Sequence, residues 1–258
     1  MASKIAVLIQ VRMKSTRLPE KAMLMIEDKT IIEHVIDRLK MARTPDVIAI
    51  CTSLHKDDAV LLEVARRKGI EGFAGSEEDV LDRFLQAAHW LKADIVVRAS
   101  GEDPLVEPGY LDKTVEHHIR SGVDYTSTKQ LPAGVAIEVI SAKALEKAQG
   151  LADNSEMSEY MTLYFRDDFF KVEMVEVEEA LKRPHYRLTV DTPEDLRLMR
   201  EIYKSLYRPG EIVSLKEVTR FLDEYPELAE INSHRVPKRV RREVVIRQGR
   251  PKIRIVEE

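Results

Sequence analysis

The chain has 258 residues, of which 44% are hydrophobic and 33% are charged, and its formal net charge is −4. The apolar content is enough for a packed core and excludes a disordered chain. The small negative charge argues against a general nucleic-acid binder, which needs a broad cationic surface.

The single cysteine and the absence of long apolar runs indicate in which cellular compartment the protein is expected. Cys51 lies in an apolar stretch, which favours a buried structural thiol, and one cysteine cannot build a disulfide framework within the chain. No apolar run reaches transmembrane length, and the charged Lys4 stands where a secretory signal would be apolar. We therefore expect a cytoplasmic protein with no stable membrane insertion.

Strands and helices alternate in the first half of the chain. The predicted elements are, in order, a strand over 4–11, a helix from residue 30, a strand over 47–52, a helix over 57–68, a strand over 72–74, a helix over 79–91 and a strand over 94–98. Short β-branched strands joined by helices predict right-handed crossovers and a mainly parallel sheet covered on both faces. The fold class is thus α/β, a Rossmann-like three-layer αβα sandwich.

The second half of the chain has a looser pattern, typical of mixed strand directions. It contains predicted helices over 108–121, 142–148, 156–165 and 193–207, and predicted strands over 124–126, 135–140, 170–177 and 185–190. The helix over 193–207 has the clearest start, because Thr192 can cap it and Pro193 suits the first helical position.

Residues 1–232 show no linker and are predicted to form one domain, followed by a basic C-terminal tail over 233–258. In the tail, 243–247 and 252–256 alternate around Gln248-Gly249, which predicts a β-hairpin. Its cations have two interpretations. They bind an acidic partner, an anionic membrane surface or another subunit, or they blunt a solvated strand edge against aggregation.

The loop after the first strand is cationic, with Arg12, Lys14, Arg17 and Lys21 close together. Ligands of open α/β sheets bind at the carboxyl ends of the strands, and guanidinium and ammonium groups match polyphosphate oxygens. The loop is therefore a candidate phosphate site. A solvated basic loop is the alternative.

Four blocks of sequence carry a resemblance to a known family. Residues 9–21 are similar to the signature Gln-Ala-Arg-x-x-Ser-x-Arg-Leu-Pro-x-Lys of the cytidylyltransferases that activate sugars. Three more blocks follow in that family's order: GSxxDVLxR from Gly75, VVRxxGxxPL from Val96 and TVDTPEDL from Thr189. The chain most resembles the SpsF-like proteins, kin to the synthetases of CMP-Kdo and CMP-sialic acid, which have the nucleotide-diphospho-sugar transferase fold.

The resemblance implies a Mg²⁺-dependent transfer of CMP from CTP to an acidic sugar or related surface-glycan precursor, with release of pyrophosphate. It also implies CTP and a small-molecule acceptor as partners, and a homodimer. Other readings stay open: a different nucleoside triphosphate, a phosphorylated small-molecule acceptor, or a nucleotide-binding homologue without catalysis.

The motif match also assigns residues. Arg12, Arg17 and Lys21 would contact the triphosphate and act in catalysis, and Ser15 would support the loop or donate to phosphate. Further nucleotide-binding candidates are Thr52, Ser53, Ser76, Asp79, Arg83 and Arg98. Asp79 and Arg83 could instead pair with each other at i,i+4 spacing. Thr189 and the region of Glu138 are expected to face the acceptor.

Three carboxylates are candidate Mg²⁺ ligands: Glu102, Asp103 and Asp191. Asp191 would end the strand predicted over 185–190, and helix capping is its alternative role. Glu102 stands where the family usually has aspartate, whereas Asp103 falls on a variable position, so either could reach the metal. An acidic turn without metal is the competing interpretation.

Two positions depart from the family pattern. Lys14 and Glu20 stand where the family loop commonly has glycine, so either the backbone there does not need a positive φ or the loop has a different shape. Among the histidines, His117 and His118 are adjacent and cannot both face one metal, and His185 is a weak candidate for the active site.

Overall fold

The computed structural model describes residues 3–128, 130–153, 157–166, 168–235 and 239–258. Its strands are β1 (Ile5–Gln10), β2 (Met25–Ile26), β3 (Lys29–Thr30), β4 (Val47–Ser53), β5 (Glu71–Gly75), β6 (Ile95–Ser100), β7 (Tyr125–Thr128), β8 (Glu138–Ser141), β9 (Val172–Val175), β10 (Val240–Arg247) and β11 (Arg250–Glu257). Its α-helices are α1 (Ile31–Leu39), α2 (Ala59–Lys68), α3 (Val80–Leu91), α4 (Pro108–Ser121), α5 (Ala142–Leu151), α6 (Pro193–Leu206), α7 (Leu215–Glu224) and α8 (Pro226–Ser233).

A seven-stranded sheet with the order β5-β4-β1-β6-β8-β7-β9 forms the centre of the molecule. The pairs from β5 to β6 and the β7–β9 pair are parallel, whereas β8 runs antiparallel to both its neighbours. The mainly parallel sheet and its mixed second half are thus confirmed. Because β4 and β6 flank β1 on opposite sides, their connections diverge there, and the carboxyl end of β1 lies at a topological switch point.

Helices cover both faces of the sheet. Ala6 and Leu8 of β1 pack in one core with α3 and α5, and the alternate residues Val7 and Ile9 pack in a second core with α1, α2 and α4. Helices lie on both faces because successive side chains of a buried strand point to opposite faces of the sheet. They confirm the predicted αβα sandwich.

A third core joins α6 and α7 to the segment that precedes them. It contains Leu188 and Val190 together with Met199, Val218 and Leu222. The sequence analysis did not predict α7 or α8, although α7 has an amphipathic pattern of buried residues. These helices close one side of the molecule beside the segment that carries Asp191.

Three local predictions are wrong or altered. Residues 185–190 do not form a strand, because the segment leaves the sheet and makes only an isolated bridge between Ala133 and Arg187. The apolar pattern of α2 predicts that Val60 faces inward with Leu61, but Val60 is 37% exposed. The helix predicted over 156–165 is a 3-10 helix over Ser158–Tyr164, and its predicted first residue lies outside the described part of the chain.

The predicted C-terminal hairpin is confirmed, with β10 and β11 paired antiparallel around Gln248 and Gly249, both at positive φ. Ile253 and Ile255 of β11 are buried in the core that contains α5. Asp153, which follows α5, accepts hydrogen bonds from Arg247 at 2.9 Å and from Arg254 at 2.7 Å. Part of the predicted tail, 236–238, lies outside the described residues. Within the described ranges, no helix is both long enough and apolar enough to cross a membrane.

Buried Cys51 and His118 have strongly shifted pKa values. Burial raises the pKa of the Cys51 thiol to about 12, as expected for a structural thiol. His118 of α4 is 3% exposed and bonds Thr126 through Nδ1 at 2.9 Å. Burial lowers its pKa to about 4. Neither group contacts the cleft described below.

We expect His118 to make the protein less stable as the pH falls from 6.5 to 4. In that range the unfolded imidazole takes up a proton while the folded one stays neutral, so the unfolded state is favoured by up to about 3 kcal/mol. Urea unfolding at several pH values measures this slope. His118→Asn, which cannot titrate, should show a shallower slope in that range, and an identical slope would contradict the assignment.

Candidate active site

A cleft of about 560 Å³ opens at the carboxyl ends of β1 and β6. It lies at the switch point of the sheet, where ligands of open α/β folds bind. The side chains that line it belong mostly to the loop after β1, the start of α3, the end of β6 and the segment before α6. Its charged lining residues are Arg12, Lys14, Arg17, Lys21, Glu77, Glu78, Arg83, Arg98, Glu102, Glu159 and Asp191.

The cationic loop after β1 is fixed by a buried carboxylate. Asp58, at the start of α2, accepts the backbone N–H of Met13 at 2.7 Å and the hydroxyl of Ser53 at 2.5 Å. Within the loop, the Leu18 N–H donates to the Ser15 hydroxyl at 3.4 Å. Asp58 is 1% exposed, so its charge stabilises the loop from beneath.

Lys14 and Glu20, which stand where the family commonly has glycine, differ in backbone conformation. Glu20 has φ 54° and ψ 23°, the left-handed region that glycine adopts most easily, whereas Lys14 is not among the residues at positive φ. Glu20 precedes the short 3-10 helix Lys21–Met23, so Lys21 begins an ordered turn instead of lying in open loop. Glu20 therefore adopts the backbone conformation that is typical of glycine, although its residue type differs from the family pattern.

We expect Asp58→Asn to weaken binding of Mg·CTP, the ligand that the family resemblance implies, about tenfold. The amide of asparagine keeps one acceptor oxygen but loses the negative charge and the second acceptor oxygen. It can therefore no longer accept from both the Met13 N–H and the Ser53 hydroxyl. A hydrogen bond to a charged group contributes about 1.5–3 kcal/mol. Titration calorimetry measures the affinity. Asp57→Asn, one residue earlier with a side chain that is 61% exposed, is the matched control. Equal losses in both variants would contradict a positioning role for Asp58.

Each cation of the loop is paired with a carboxylate in the cleft. Arg12 pairs with Glu159 at 3.2 Å, Lys14 with Glu77 at 3.6 Å, and Arg17 with Asp191 at 2.5 Å. The Arg12–Glu159 and Lys14–Glu77 pairs are accessible to solvent, so an incoming polyphosphate could replace these two carboxylates at small cost. Arg17 is also exposed, but its partner Asp191 is mostly buried.

Lys21 lies between two carboxylates at the base of the cleft. Its Nζ is 2.6 Å from Glu102 Oε2 and 2.7 Å from Asp191 Oδ1, and the side chain is 6% exposed. One ammonium thus bridges an acidic residue after β6 and another before α6. Both oxygens therefore face the same cationic position.

Burial dominates the electrostatics of the turn after β6. It raises the pKa of Glu102, against the opposing effect of Lys21. Burial also raises the pKa of Asp103 to about 7, opposed by a hydrogen bond from Thr189 and reinforced by the charge of Glu102.

Asp191 does not cap α6. Thr192 is the N-cap, and it forms a capping box with Asp195. The Asp191 carboxylate is thus free of the capping role that was its alternative. It faces Arg17 and Lys21 instead.

The β6–β8 side of the cleft holds a neutral, tightly bonded group. Arg98 donates to Gln10 at 3.0 Å and to Glu138 at 2.6 Å, and Glu138 also accepts the Tyr125 hydroxyl at 2.8 Å. The paired charges of Arg98 and Glu138 cancel. Gln10 joins this group to the end of β1.

The structure brings most of the candidate residues to the cleft. The candidates that line it are Arg12, Ser15, Arg17, Lys21, Arg83, Arg98, Glu102 and Asp191. The candidates outside its lining are Thr52, Ser53, Ser76, Asp79 and Asp103. The roles assigned to both groups remain predictions.

The polar candidates Ser76 and Asp79, which follow β5, have local bonding partners. Asp79 caps α3 by accepting the Asp82 N–H at 2.9 Å, and Ser76 accepts the Asp79 N–H at 3.0 Å. Arg83 donates to the Ser76 carbonyl at 3.0 Å and does not pair with Asp79. Its buried Nε has no hydrogen-bond partner among the described residues.

Residues of the site that were not predicted from the sequence include Asp58, Glu77, Glu78 and Glu159. Asp58 had a signal, since an acidic residue at a helix start is a common anchor for preceding backbone. Glu159 had none, because only the tertiary structure carries its 3-10 helix to Arg12.

The acidic side chains permit a divalent ion but do not enclose one. In the part of the chain that the structure describes, no group of three or more His, Cys, Asp or Glu side chains could hold a metal by itself. Glu102 and Asp191 nevertheless offer two oxygens around one cationic position. This donor set suits Mg²⁺, which usually takes one or two protein carboxylates and completes its shell with substrate phosphate and water.

Known proteins are similar to this chain in sequence and in fold. A family model described as cytidylyltransferase matches residues 6–225. An uncharacterized protein of Methanocaldococcus jannaschii is 37% identical over 90% of this chain and 95% of its own length. The spore coat polysaccharide biosynthesis protein SpsF of Bacillus subtilis is 33% identical over 86% of this chain and 95% of its own. A cytidylyltransferase structure from Leptospira borgpetersenii has TM-score 0.82 and 26% identity, covering 92% of this chain and 100% of that one.

The fold and the matched sequence define a nucleotidyltransferase, in which the cationic loop and the two carboxylates face each other across the cleft. The chain belongs to the cytidylyltransferase family and is SpsF-like within it. The resemblance drawn from the four motifs is thereby confirmed.

Proposed function

We propose that this protein transfers CMP from CTP to an acidic sugar or related surface-glycan precursor, with Mg²⁺ and with release of pyrophosphate. The observation that carries the proposal is the arrangement of Lys21 between Glu102 and Asp191, beside a loop of three further cations. The cytidylyltransferase family supports CTP as donor, and the polysaccharide name of SpsF supports a glycan precursor as acceptor.

The reaction forms one bond to phosphorus and breaks another. An acceptor oxygen attacks the α-phosphorus of CTP, the bond from that phosphorus to the α–β bridging oxygen breaks, and pyrophosphate leaves with the electron pair. The acceptor proton passes to water. Charge accumulates on the phosphate oxygens, so the protein acts by positioning and by neutralising that charge.

The loop after β1 would bind the triphosphate. Arg12 and Arg17 offer forked donors for phosphate oxygens once Glu159 and Asp191 release them, and Lys21 adds a buried ammonium at the base. Glu102 and Asp191 would hold Mg²⁺, which when bound neutralises phosphate charge and orients the leaving group. Release of Lys21 from the two carboxylates would then direct it to phosphate.

The acceptor would lie on the β6–β8 side, next to Arg98. Its guanidinium is held by Gln10 and Glu138, so it presents a fixed donor surface to the cleft. Thr189, which bonds Asp103, would face the acceptor as well.

Pyrophosphate release tests the proposal. The purified protein is incubated with Mg²⁺, with each of CTP, UTP, GTP and ATP, and with a panel of acidic sugars and phosphorylated alcohols. We expect release with CTP and an acidic sugar only. Turnover with a phosphorylated alcohol or another nucleotide would replace the proposed substrate, and CTP binding without turnover of any pair would favour a binding protein that has lost catalysis.

A further inference from the structure

A fully buried carboxylate holds Asp191 from behind. The side chain of Asp195, in the first turn of α6, has 0% exposure. Its Oδ2 accepts the backbone N–H of Asp191 at 3.0 Å and that of Thr192 at 2.9 Å. Asp195 therefore fixes the backbone of the residue whose carboxylate enters the cleft.

Two further side chains fix Asp195 itself. The guanidinium of Arg187 binds it in a fork, with Nε to Oδ1 at 2.9 Å and Nη2 to Oδ2 at 3.0 Å. Arg187 Nη2 also lies 3.5 Å from Asp191 Oδ2. The same guanidinium thus contacts both carboxylates and sets one relative to the other.

Asn232, close to the end of α8, completes the arrangement. Its Nδ2 donates to Asp195 Oδ1 at 2.8 Å and to the Arg187 carbonyl at 3.0 Å, and the residue is 1% exposed. Asn232 lies beyond residues 6–225, which the family model matches. A residue from outside the matched region therefore supports the segment that leads to the cleft.

These bonds exceed what a helix start requires. Thr192 already caps α6, and a capping box needs only the reciprocal bonds of Thr192 and Asp195. The bonds from Asp191, Arg187 and Asn232 are additional, and all of them converge on a charge that burial would otherwise destabilise. Partners behind a ligating carboxylate orient it, and their loss typically costs about 10–100-fold in metal affinity or activity.

We propose that Asp195 and Asn232 are positioning residues that set the Asp191 carboxylate where it meets Lys21 and the substrate-bound cation. The effect on turnover rests on the proposed function. The position of the Asp191 carboxylate is independent of the proposed function, since it follows from hydrogen bonds within the protein.

Asn232→Ala is the informative variant, because it removes the two hydrogen bonds to Asp195 and to the Arg187 carbonyl and leaves the Arg187–Asp195 fork in place. Ser233→Ala is the matched control, since Ser233 is the exposed neighbour on α8 and donates only to the Glu230 carbonyl. Three measurements compare them: binding of Mn²⁺ followed by the spin resonance of the free ion, kcat for pyrophosphate release, and the crystal structure of each variant. We expect N232A to bind Mn²⁺ about tenfold more weakly and to lose about tenfold in kcat, with S233A like the wild type.

The crystal structure separates failure of this inference from failure of the proposed function. In N232A we expect Asp191 to leave Lys21 or to occupy more than one conformer. If Asp191 keeps its place, or if N232A loses only thermal stability while Mn²⁺ affinity and kcat stay at wild-type values, Asn232 is merely structural and the inference fails. If the wild type neither binds CTP nor releases pyrophosphate, the proposed function fails and the crystal structure still decides the positioning. Should N232A not fold, Asn232→Ser retains a donor and is expected to give smaller changes of the same sign.

Discussion

Lys21→Met is expected to abolish most activity, with a loss of about 100- to 1,000-fold in kcat/KM for pyrophosphate release. The methionine keeps the length of the lysine but removes the ammonium that bridges Glu102 and Asp191. In the proposed reaction the same ammonium would stabilise phosphate charge as the bond to pyrophosphate breaks. The loss should therefore appear in kcat and not only in KM.

The same variant should also be less stable, by about 3 kcal/mol at neutral pH. Glu102 loses the cation that it pairs with, and Asp191 keeps only Arg17 and the more distant Arg187. The loss should shrink as the pH falls, since the pKa of Glu102 is already raised and removal of Lys21 would raise it further. It should shrink also on addition of Mg²⁺, which can replace the ammonium between the two oxygens. Urea unfolding with and without Mg²⁺ measures both effects.

Lys14→Met is the stability control for this prediction. Lys14 is 70% exposed and pairs with Glu77 at 3.6 Å, so its removal should change the free energy of unfolding by less than about 1 kcal/mol. Stability of K21M equal to that of K14M, or a lack of any differential response to Mg²⁺, would contradict a bridging role for Lys21.

Gly134→Ala is expected to lower the free energy of unfolding by about 3 kcal/mol and to reduce activity with it. Gly134 has φ +88°, and an added Cβ would lie 2.4 Å from the Thr189 nitrogen and 2.7 Å from the Leu188 carbonyl carbon. Positive φ alone costs an alanine about 1 kcal/mol, and forcing a packed backbone apart adds about 1–3 kcal/mol. Because the displaced segment leads directly to Asp191, kcat should fall as well.

Gly210→Ala separates the two causes. Gly210 has φ +86°, almost the same as Gly134, but an added Cβ would meet nothing within 4 Å. Urea unfolding should show a loss near 1 kcal/mol for G210A, with full activity, since only the backbone conformation is strained. Equal losses in the two variants would show that the contact with the Thr189 segment is unimportant.

The sequence alone predicted the features that depend on residues close together in the chain. The spacing of Thr30 and Glu33 predicts a capping box, and that box forms. The predicted cap at Thr192 and the predicted hairpin turn at Gln248-Gly249 form as well, because each is set by bonds within a few residues. The αβα layers also follow from periodicity, since alternate residues of a buried strand must find two apolar partners. The motifs identified the family before the fold was known.

Only the tertiary structure decided how the motif residues meet. The segment over 185–190 has the composition of a strand, but it packs on Ala133 and the third core instead of entering the sheet, and so Asp191 comes from an extended segment. The partners of Lys21, the support of Asp58 and the bonds of Asn232 join residues far apart in the chain. Such contacts carry no local signal, because they depend on which faces of distant elements pack together, and burial then sets the charges that the contacts must satisfy.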